Sequence, residues 1–278
     1  MYIAQIHNKL TRQEGQMEDL LTSNVFGLWR YLSPDMGLLQ FLGTARNLGE
    51  QQLQLATPIT EAKLNFWPWL HEPNAKGAEP DVLISLLGSE GQNCLVLIES
   101  KYLSGKSSQP NEEDLPNDQL AKEMLNLRSI AERSSADAYA LVYVTAHGAI
   151  PSKDIEEAAD ELKEKTGDGS IEQFYWTTWR RLPQILDDVV HLARNSVEKG
   201  LIDDLATILN SLGLTFFQGF DSQGWNLGYP QWCFVQSPAS FSWLPILLPT
   251  YVFCPAEVAF LWILRESKPV ETWRWRFG

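Results

Sequence analysis

Two apolar runs separated by four polar residues constrain this chain more than any other feature of it. EPDVLISLLG (79–88) and NCLVLIESKY (93–102) flank SEGQ, and both are short, β-compatible and more apolar than a surface strand. Such a pair is expected to form a hairpin of adjacent antiparallel strands buried on both faces, which calls for covering layers of helix. Period-two alternation sets Leu95, Leu97, Glu99 and Lys101 on one face of the second strand. A carboxylate and an ammonium thus continue a row that begins as core. A short turn also brings Asp81, at the start of the first strand, beside the end of the second.

The flanking segments supply the covering layers. QMEDLLTSNVFGLWRYL (16–32) carries Met17, Leu21, Val25, Leu28 and Leu32 at helical spacing, with Glu18 at the edge of the stripe. SPDMGLLQFLGTARNL (33–48) reads as a second, shorter helix. LQLATPITEAKLNFWPWL (53–70) leans to strand, and Pro68 marks an edge or a bend. After the hairpin, residues 103–118 form a polar connection rich in Gly, Ser, Pro and charge. DQLAKEMLNLRSIAERS (118–134) resumes helical spacing with Asp118 as its N-cap. ADAYALVYVTAHG (136–148) is a further buried strand, Pro151 and Ser152 open an acidic helix, and IEQFYWTTW (171–179) is β-rich. The order is helix, three strands, helix, strand, helix, strand, an α/β arrangement, and helical sequence then runs from about 182 to Gly213. Residues 219–278, rich in Trp, Phe, Pro and Gly, read as a C-terminal extension of a domain spanning 1–218.

Composition removes several functional classes. A net charge of −13 argues against coating nucleic acid through a broad basic surface, although it leaves room for a local basic groove. The three cysteines, Cys94, Cys233 and Cys254, lack CxxC spacing, so neither a disulfide framework nor a structural zinc site is expected. No signal-peptide core and no apolar run of membrane-spanning length occurs, and a cytoplasmic protein without a membrane partner is expected. The four histidines have no metal-ligand spacing, and the nucleophile elbow, the Walker loop and GxGxxG are absent. Trp179-Arg180-Arg181 and Trp273-Arg274-Trp275-Arg276 interleave aromatics with arginines, a pattern that can stack bases, although Trp at such density more often belongs to a core or an interface.

The pattern acid, any residue, Lys occurs four times, so context must choose among the copies. Glu161 and Lys163 lie in the acidic helix, where positions i and i+2 point to different sides. Glu266-Ser-Lys268 follows a helix-like run and is cut off by Pro269, and Glu61-Ala-Lys63 has no acidic strand upstream. Only Glu99-Ser-Lys101 has a partner, Asp81 after Pro80. Two carboxylates held close repel, and the usual relief is a divalent cation or a raised pKa, so a hard-oxygen site for Mg²⁺ or Mn²⁺ fits. The plainer alternative is a turn carboxylate at Asp81 and a cross-strand ion pair of about 0.2–1 kcal/mol at Glu99 and Lys101.

Pro80-Asp81 followed by Glu99-Ser100-Lys101 resembles the PD-(D/E)XK nuclease superfamily over about residues 12–180. The resemblance implies a restriction-endonuclease-like core of order αβββαβ, with a mixed central sheet flanked by helices. It implies Mg²⁺ or Mn²⁺ held by Asp81, Glu99 and the main chain of Ser100, with Lys101 orienting the attacking water. Glu18 matches the glutamate that many members carry on the first helix near the metal. Gln119 matches the glutamine of RecB-type members, but Glu123 stands where their tyrosine would be. The implied activity is phosphodiester hydrolysis, in DNA before RNA, leaving 5′-phosphate and 3′-hydroxyl ends, as in restriction, phage defence or repair. Competing expectations are an RNA-directed nuclease, and a non-catalytic scaffold whose Trp-rich extension docks a partner or forms a homodimer.

Overall fold

The structure is a computed structural model that describes residues 13–55, 58–71, 76–102, 116–169 and 171–214, with two strand segments at 233–234 and 260–261. The chain divides into two compact units, residues 1–217 and 218–278.

The first unit is built on a five-stranded open sheet with spatial order β1-β2-β3-β4-β5. β2 (Val82–Gly88) and β3 (Asn93–Ser100) pair antiparallel, with Val82 opposite Ile98 and Leu86 opposite Cys94. Their turn closes through a hydrogen bond from the Gly88 N–H to the Gln92 carbonyl (2.8 Å), and Gly91 supplies the left-handed residue at φ 85°. β1 (Ile59–Phe66) adds antiparallel on the outside, where exposed Glu61 and Lys63 discourage pairing with another chain. The chain leaves β1 at Trp67, whose φ of 46° makes the bend that Pro68 foretells.

β4 (Ala138–Thr145) and β5 (Phe174–Thr178) continue the sheet in parallel, so β3, β4 and β5 point the same way. Parallel neighbours need crossovers, and α3 (Gln119–Ser134) and α4 (Ser152–Thr166) supply them. Asp118 caps α3 by accepting from the Ala121 N–H at 3.2 Å. Glu161 of α4 accepts the Asn117 and Asp118 N–H groups, both at 2.7 Å, and so fixes where α3 begins.

α1 (Gln13–Trp29), α2 (Leu38–Gly43), α5 (Leu182–Val189) and α6 (Ser196–Ser211) pack with one face of the sheet, against Val82, Ile84, Val96, Ile98 and Val142. α3 and α4 pack with the other, against Leu95, Leu97, Leu141 and Tyr143. The result is a three-layer α/β fold with a core on each side of the sheet. Among the described residues no helix is long and apolar enough to cross a membrane.

Two expectations are corrected, and Trp179 takes the core reading of its motif. β2 is not buried on both faces: Leu83 and Ser85 are part-buried and Leu87 is 41% exposed, because α3 and α4 connect and cover β3 to β5. The short second helix occupies only Leu38–Gly43, starting after Gly37 at φ 110°, where a Cβ would sit 2.8 Å from the Trp29 indole nitrogen. Trp179 is fully buried and offers no stacking surface: it stacks on Phe41 (centroids 6.1 Å apart) and meets Phe26 edge-on. Arg180 is spent on the Ala146 and Gly213 carbonyls.

In the second unit, β6 (Cys233–Phe234) pairs antiparallel with β7 (Phe260–Leu261). Glu266, Lys268 and Trp273 to Arg276 lie outside the described residues.

Candidate active site

Glu99 is the penultimate residue of β3 and Lys101 follows its last, at the carboxyl edge of the parallel part of the sheet, where open α/β sheets place their ligands. The strand end is pinned on both sides. The Lys101 N–H donates to the Val144 carbonyl (2.7 Å), and the Trp179 indole N–H donates to the Lys101 carbonyl (3.2 Å). α1 reaches this edge from one face and the start of α3 from the other, so residues far apart in sequence converge on it.

Lys101 Nζ donates to Glu99 Oε1 at 2.5 Å and to Glu18 Oε1 at 3.2 Å. The other oxygen of Glu18 accepts the Tyr102 N–H at 3.0 Å, which locks the α1 carboxylate to the strand end. Gln119, the first residue of α3, donates through Nε2 to Glu99 Oε1 (2.6 Å) and to Glu123 Oε1 (3.1 Å). Glu18, Glu99, Lys101 and Gln119, nominated from the sequence, therefore form one connected cluster.

Asp81 joins it by a different route. The bend after Pro80 turns its carboxylate across the strand end, where Oδ2 accepts both the Ser100 N–H (2.8 Å) and the Ser100 hydroxyl (2.6 Å). Oδ1 accepts the Trp67 indole N–H at 3.2 Å. The resemblance asks of Ser100 only its main chain. Its side chain faces α1, opposite Glu99, and also holds Asp81. Since that hydroxyl gives its one hydrogen to Asp81, Thr22 Oγ1 of α1 must donate to Ser100 Oγ, 2.6 Å away.

The centre of the cluster is dry, with Asp81, Glu99 and Lys101 at most 7% exposed and Glu123 fully buried, while Glu18 and Gln119 are part-buried. Burial pushes the Glu99 carboxyl up to about 7 against the pull of Lys101, with the Asp81 charge adding to the rise. Burial likewise raises Asp81, and it raises Glu123 well above the ordinary carboxylate range, with the neighbouring Glu99 charge adding to it. For Lys101, burial alone would lower the pKa, but Glu99, Asp81 and Glu18 together outweigh it and hold the ammonium charged. One cation thus sits among four carboxyl groups, an excess of negative charge that protons or a metal ion must offset.

Comparison with known proteins yields no family model, no curated protein and no solved structure that matches the chain. Chemistry at the site therefore stands on its own geometry. The donors are hard oxygens, the class that Mg²⁺ and Mn²⁺ prefer, and the Glu99 and Glu123 carboxyl groups hydrogen-bond each other, which requires a proton on one of them. By donor type the set suits a divalent ion, and among the described residues no group of three or more His, Cys, Asp or Glu side chains stands placed to hold one. Binding would require Glu99 to exchange part of its contact with Lys101 and Gln119.

The rival motifs lack this setting. Glu61 and Lys63 form an exposed pair at 3.4 Å on the edge strand, and Glu161 is occupied at the start of α3. Thr22, Trp67 and Glu123 were not nominated from the sequence. Glu123 alone carried a signal, since it lies four residues after Gln119, on the same helix face, inside the stripe of Leu120, Met124 and Leu127.

Proposed function

We propose that this chain is a divalent-cation-dependent phosphodiesterase of the PD-(D/E)XK nuclease type, acting on DNA. The observation that carries the reading is the Lys101 ammonium clasped between Glu99 and Glu18 at the carboxyl edge of β3, with Asp81 bound to the intervening Ser100. Asp81, Glu99 and the Ser100 carbonyl would hold Mg²⁺ or Mn²⁺. When bound, that ion lowers the pKa of water and neutralises charge growing on the phosphate.

The protein's own groups supply the rest. Lys101, kept charged by its neighbours, presents a second positive contact to the attacking water or the phosphate oxygens. Glu18 and Gln119 hold Lys101 and Glu99 in register from the two helical layers. In the reaction, water attacks phosphorus, the bond to the 3′ oxygen breaks, and the 3′ oxygen takes a proton, leaving 5′-phosphate and 3′-hydroxyl ends. With a net charge of −13, substrate attraction would rest on this local centre and not on the surface as a whole.

A second reading is a non-catalytic scaffold that retains the fold. It draws support from the internal hydrogen bonds that occupy both oxygens of Asp81. The test incubates the full chain and Lys101→Ala with plasmid, linear duplex, single-stranded DNA and RNA, in Mg²⁺, Mn²⁺ or EDTA. Cleavage of DNA that is lost in EDTA and lost in the variant is the expected result. Cleavage of RNA alone would move the substrate class, and no cleavage of any substrate would favour the scaffold. Cleavage surviving both EDTA and the substitution would remove this site from the reaction.

A further inference from the structure

Trp69 is the one indole among the described residues that the core does not claim. Trp29, Trp67 and Trp179 are buried and Trp176 is half-buried, while Trp69 is 68% exposed. A lone exposed ring means little by itself, and its setting decides. Beyond the last pair of β1 and β2 the two segments stay together past the end of the sheet. The Trp67 N–H donates to the Asp81 carbonyl (2.9 Å), and Leu70 and Ala78 exchange both backbone hydrogen bonds (2.8 and 2.9 Å). This extension leads into Asp81, so it stands at the edge where the Asp81, Glu99 and Lys101 side chains gather. It is braced against α3 and the residues that open it. Leu70 joins the core on that side, Lys76 Nζ donates to Asn117 Oδ1 (3.0 Å), and Asn126 Nδ2 donates to the Lys76 carbonyl (2.8 Å). Trp69 is two residues from Trp67, whose indole N–H holds Asp81 Oδ1. Its six-membered ring rests on Gly77, where an added Cβ would come within 2.5 Å of Cζ2. The exposed ring therefore has a fixed seat beside the acidic cluster.

We infer that the Trp69 indole is a stacking platform for an unpaired base, which makes single-stranded DNA the substrate form this site takes. The inference rests on the nuclease reading above. Bases inside a duplex are stacked on one another, whereas an unpaired base offers its face to an exposed ring, whichever base it is. Stacking also supplies affinity that a chain of net charge −13 does not gain from a broad basic surface.

Binding of the full chain to a labelled oligothymidine and to a labelled duplex, read by fluorescence anisotropy in EDTA to prevent cleavage, tests this in the wild type, Trp69→Phe and Trp69→Ala. Wild type should bind the single strand more tightly than the duplex. Trp69→Ala should weaken single-strand binding about five- to hundredfold, and Trp69→Phe, which keeps a flat ring, should retain most of the affinity. Duplex affinity should be the same in all three. With Mn²⁺ present, the loss in Trp69→Ala should appear in KM for single-stranded DNA. Because the ring is exposed, Trp69→Ala should melt within about 3 °C of wild type. Gly77→Leu, which displaces the ring and leaves the indole in the chain, should weaken the single strand as Trp69→Ala does.

Unchanged single-strand affinity in Trp69→Ala, in a chain that cleaves DNA, would overturn this inference and leave the nuclease reading standing. Single-strand binding that depends on Trp69 in a chain that cleaves nothing would keep the platform and sink the nuclease reading. No binding of any nucleic acid by wild type would overturn both. Equal losses on single strand and duplex would show that the ring meets the sugar-phosphate backbone and not a base, which also overturns the inference. Unchanged DNA binding, with self-association lost in Trp69→Ala, would assign the ring to a contact with a second copy instead.

Discussion

Replacing Lys101 with methionine keeps the aliphatic stem and removes the one cation in a dry cluster of carboxylates. The side chains of Lys101 and Glu99 are 9% and 2% exposed, and their contact is 2.5 Å, so this is a buried pair. Removing one partner of such a pair costs about 3–5 kcal/mol when the other remains charged. The charge state of Glu99 decides whether it does. Its folded pKa of about 7 lies above its ordinary 4.5, so the folded chain holds a proton that the unfolded chain has released. Stability from this group is therefore greatest below the unfolded value and declines as pH rises through the folded one, by at most about 3 kcal/mol. Asp81 and Glu123 shift in the same direction. At about pH 5.5 the variant should lose less than at high pH, because Glu99 is protonated and only the attractions of Lys101 to the remaining carboxylates are removed. At about pH 8.5 it should lose the full about 3–5 kcal/mol, a fall of about 1–2 M in the urea midpoint. Equal losses at the two pH values, or a loss under about 1 kcal/mol at the higher one, would refute the view that the ammonium holds ionised carboxylates together.

Asp118→Ala removes the cap of α3 and should cost about 1 kcal/mol by urea denaturation, and the freed first turn should show faster amide exchange at Gln119. Ser100→Ala deletes the hydroxyl between Asp81 and Thr22 and should cost about 1–3 kcal/mol, because buried Thr22 loses its acceptor. Thr22→Val in the Ser100→Ala background should recover part of that loss, and a double variant no better than the single would mean the two hydroxyls are not coupled. Trp179→Ala should cost about 3–5 kcal/mol from the cavity between Phe26 and Phe41, and a loss under about 1 kcal/mol would contradict its place in the core.

Features set by short-range rules were legible in the sequence. The β2–β3 hairpin follows from two apolar runs and a glycine-containing turn, the α3 cap from Asp118, and the shared face of Glu99 and Lys101 from strand period, while Gln119 came from the resemblance alone. Glu18 was nominated through the resemblance, which asks for a glutamate on the first helix, and its place at the edge of the apolar stripe is compatible with that position. What escaped depends on contacts between distant segments. The indole of Trp67 meets Asp81 only because the backbone turns through a positive φ at position 67, where no glycine announces it. Thr22 and Ser100 are 78 residues apart, and two small hydroxyls carry no periodic signal. Trp179 reads as core or interface before base stacking, and the contacts of Phe26 on α1 and Phe41 on α2 with its indole place it in the core. The open face of β2 likewise depends on where the crossover helices lie.

On the proposed reading, the acidic cluster at the end of β3 binds a divalent cation. A crystal of the full chain soaked in Mn²⁺, with an anomalous difference map, tests it most directly. The account predicts a peak within coordination distance of carboxylate oxygens of both Asp81 and Glu99, about 2.0–2.5 Å. It also predicts that Glu99 Oε1 gives up at least part of its contact with Lys101. No peak at saturating Mn²⁺, or a peak bound elsewhere with the Asp81–Ser100 and Glu99–Lys101 contacts unchanged, would contradict it.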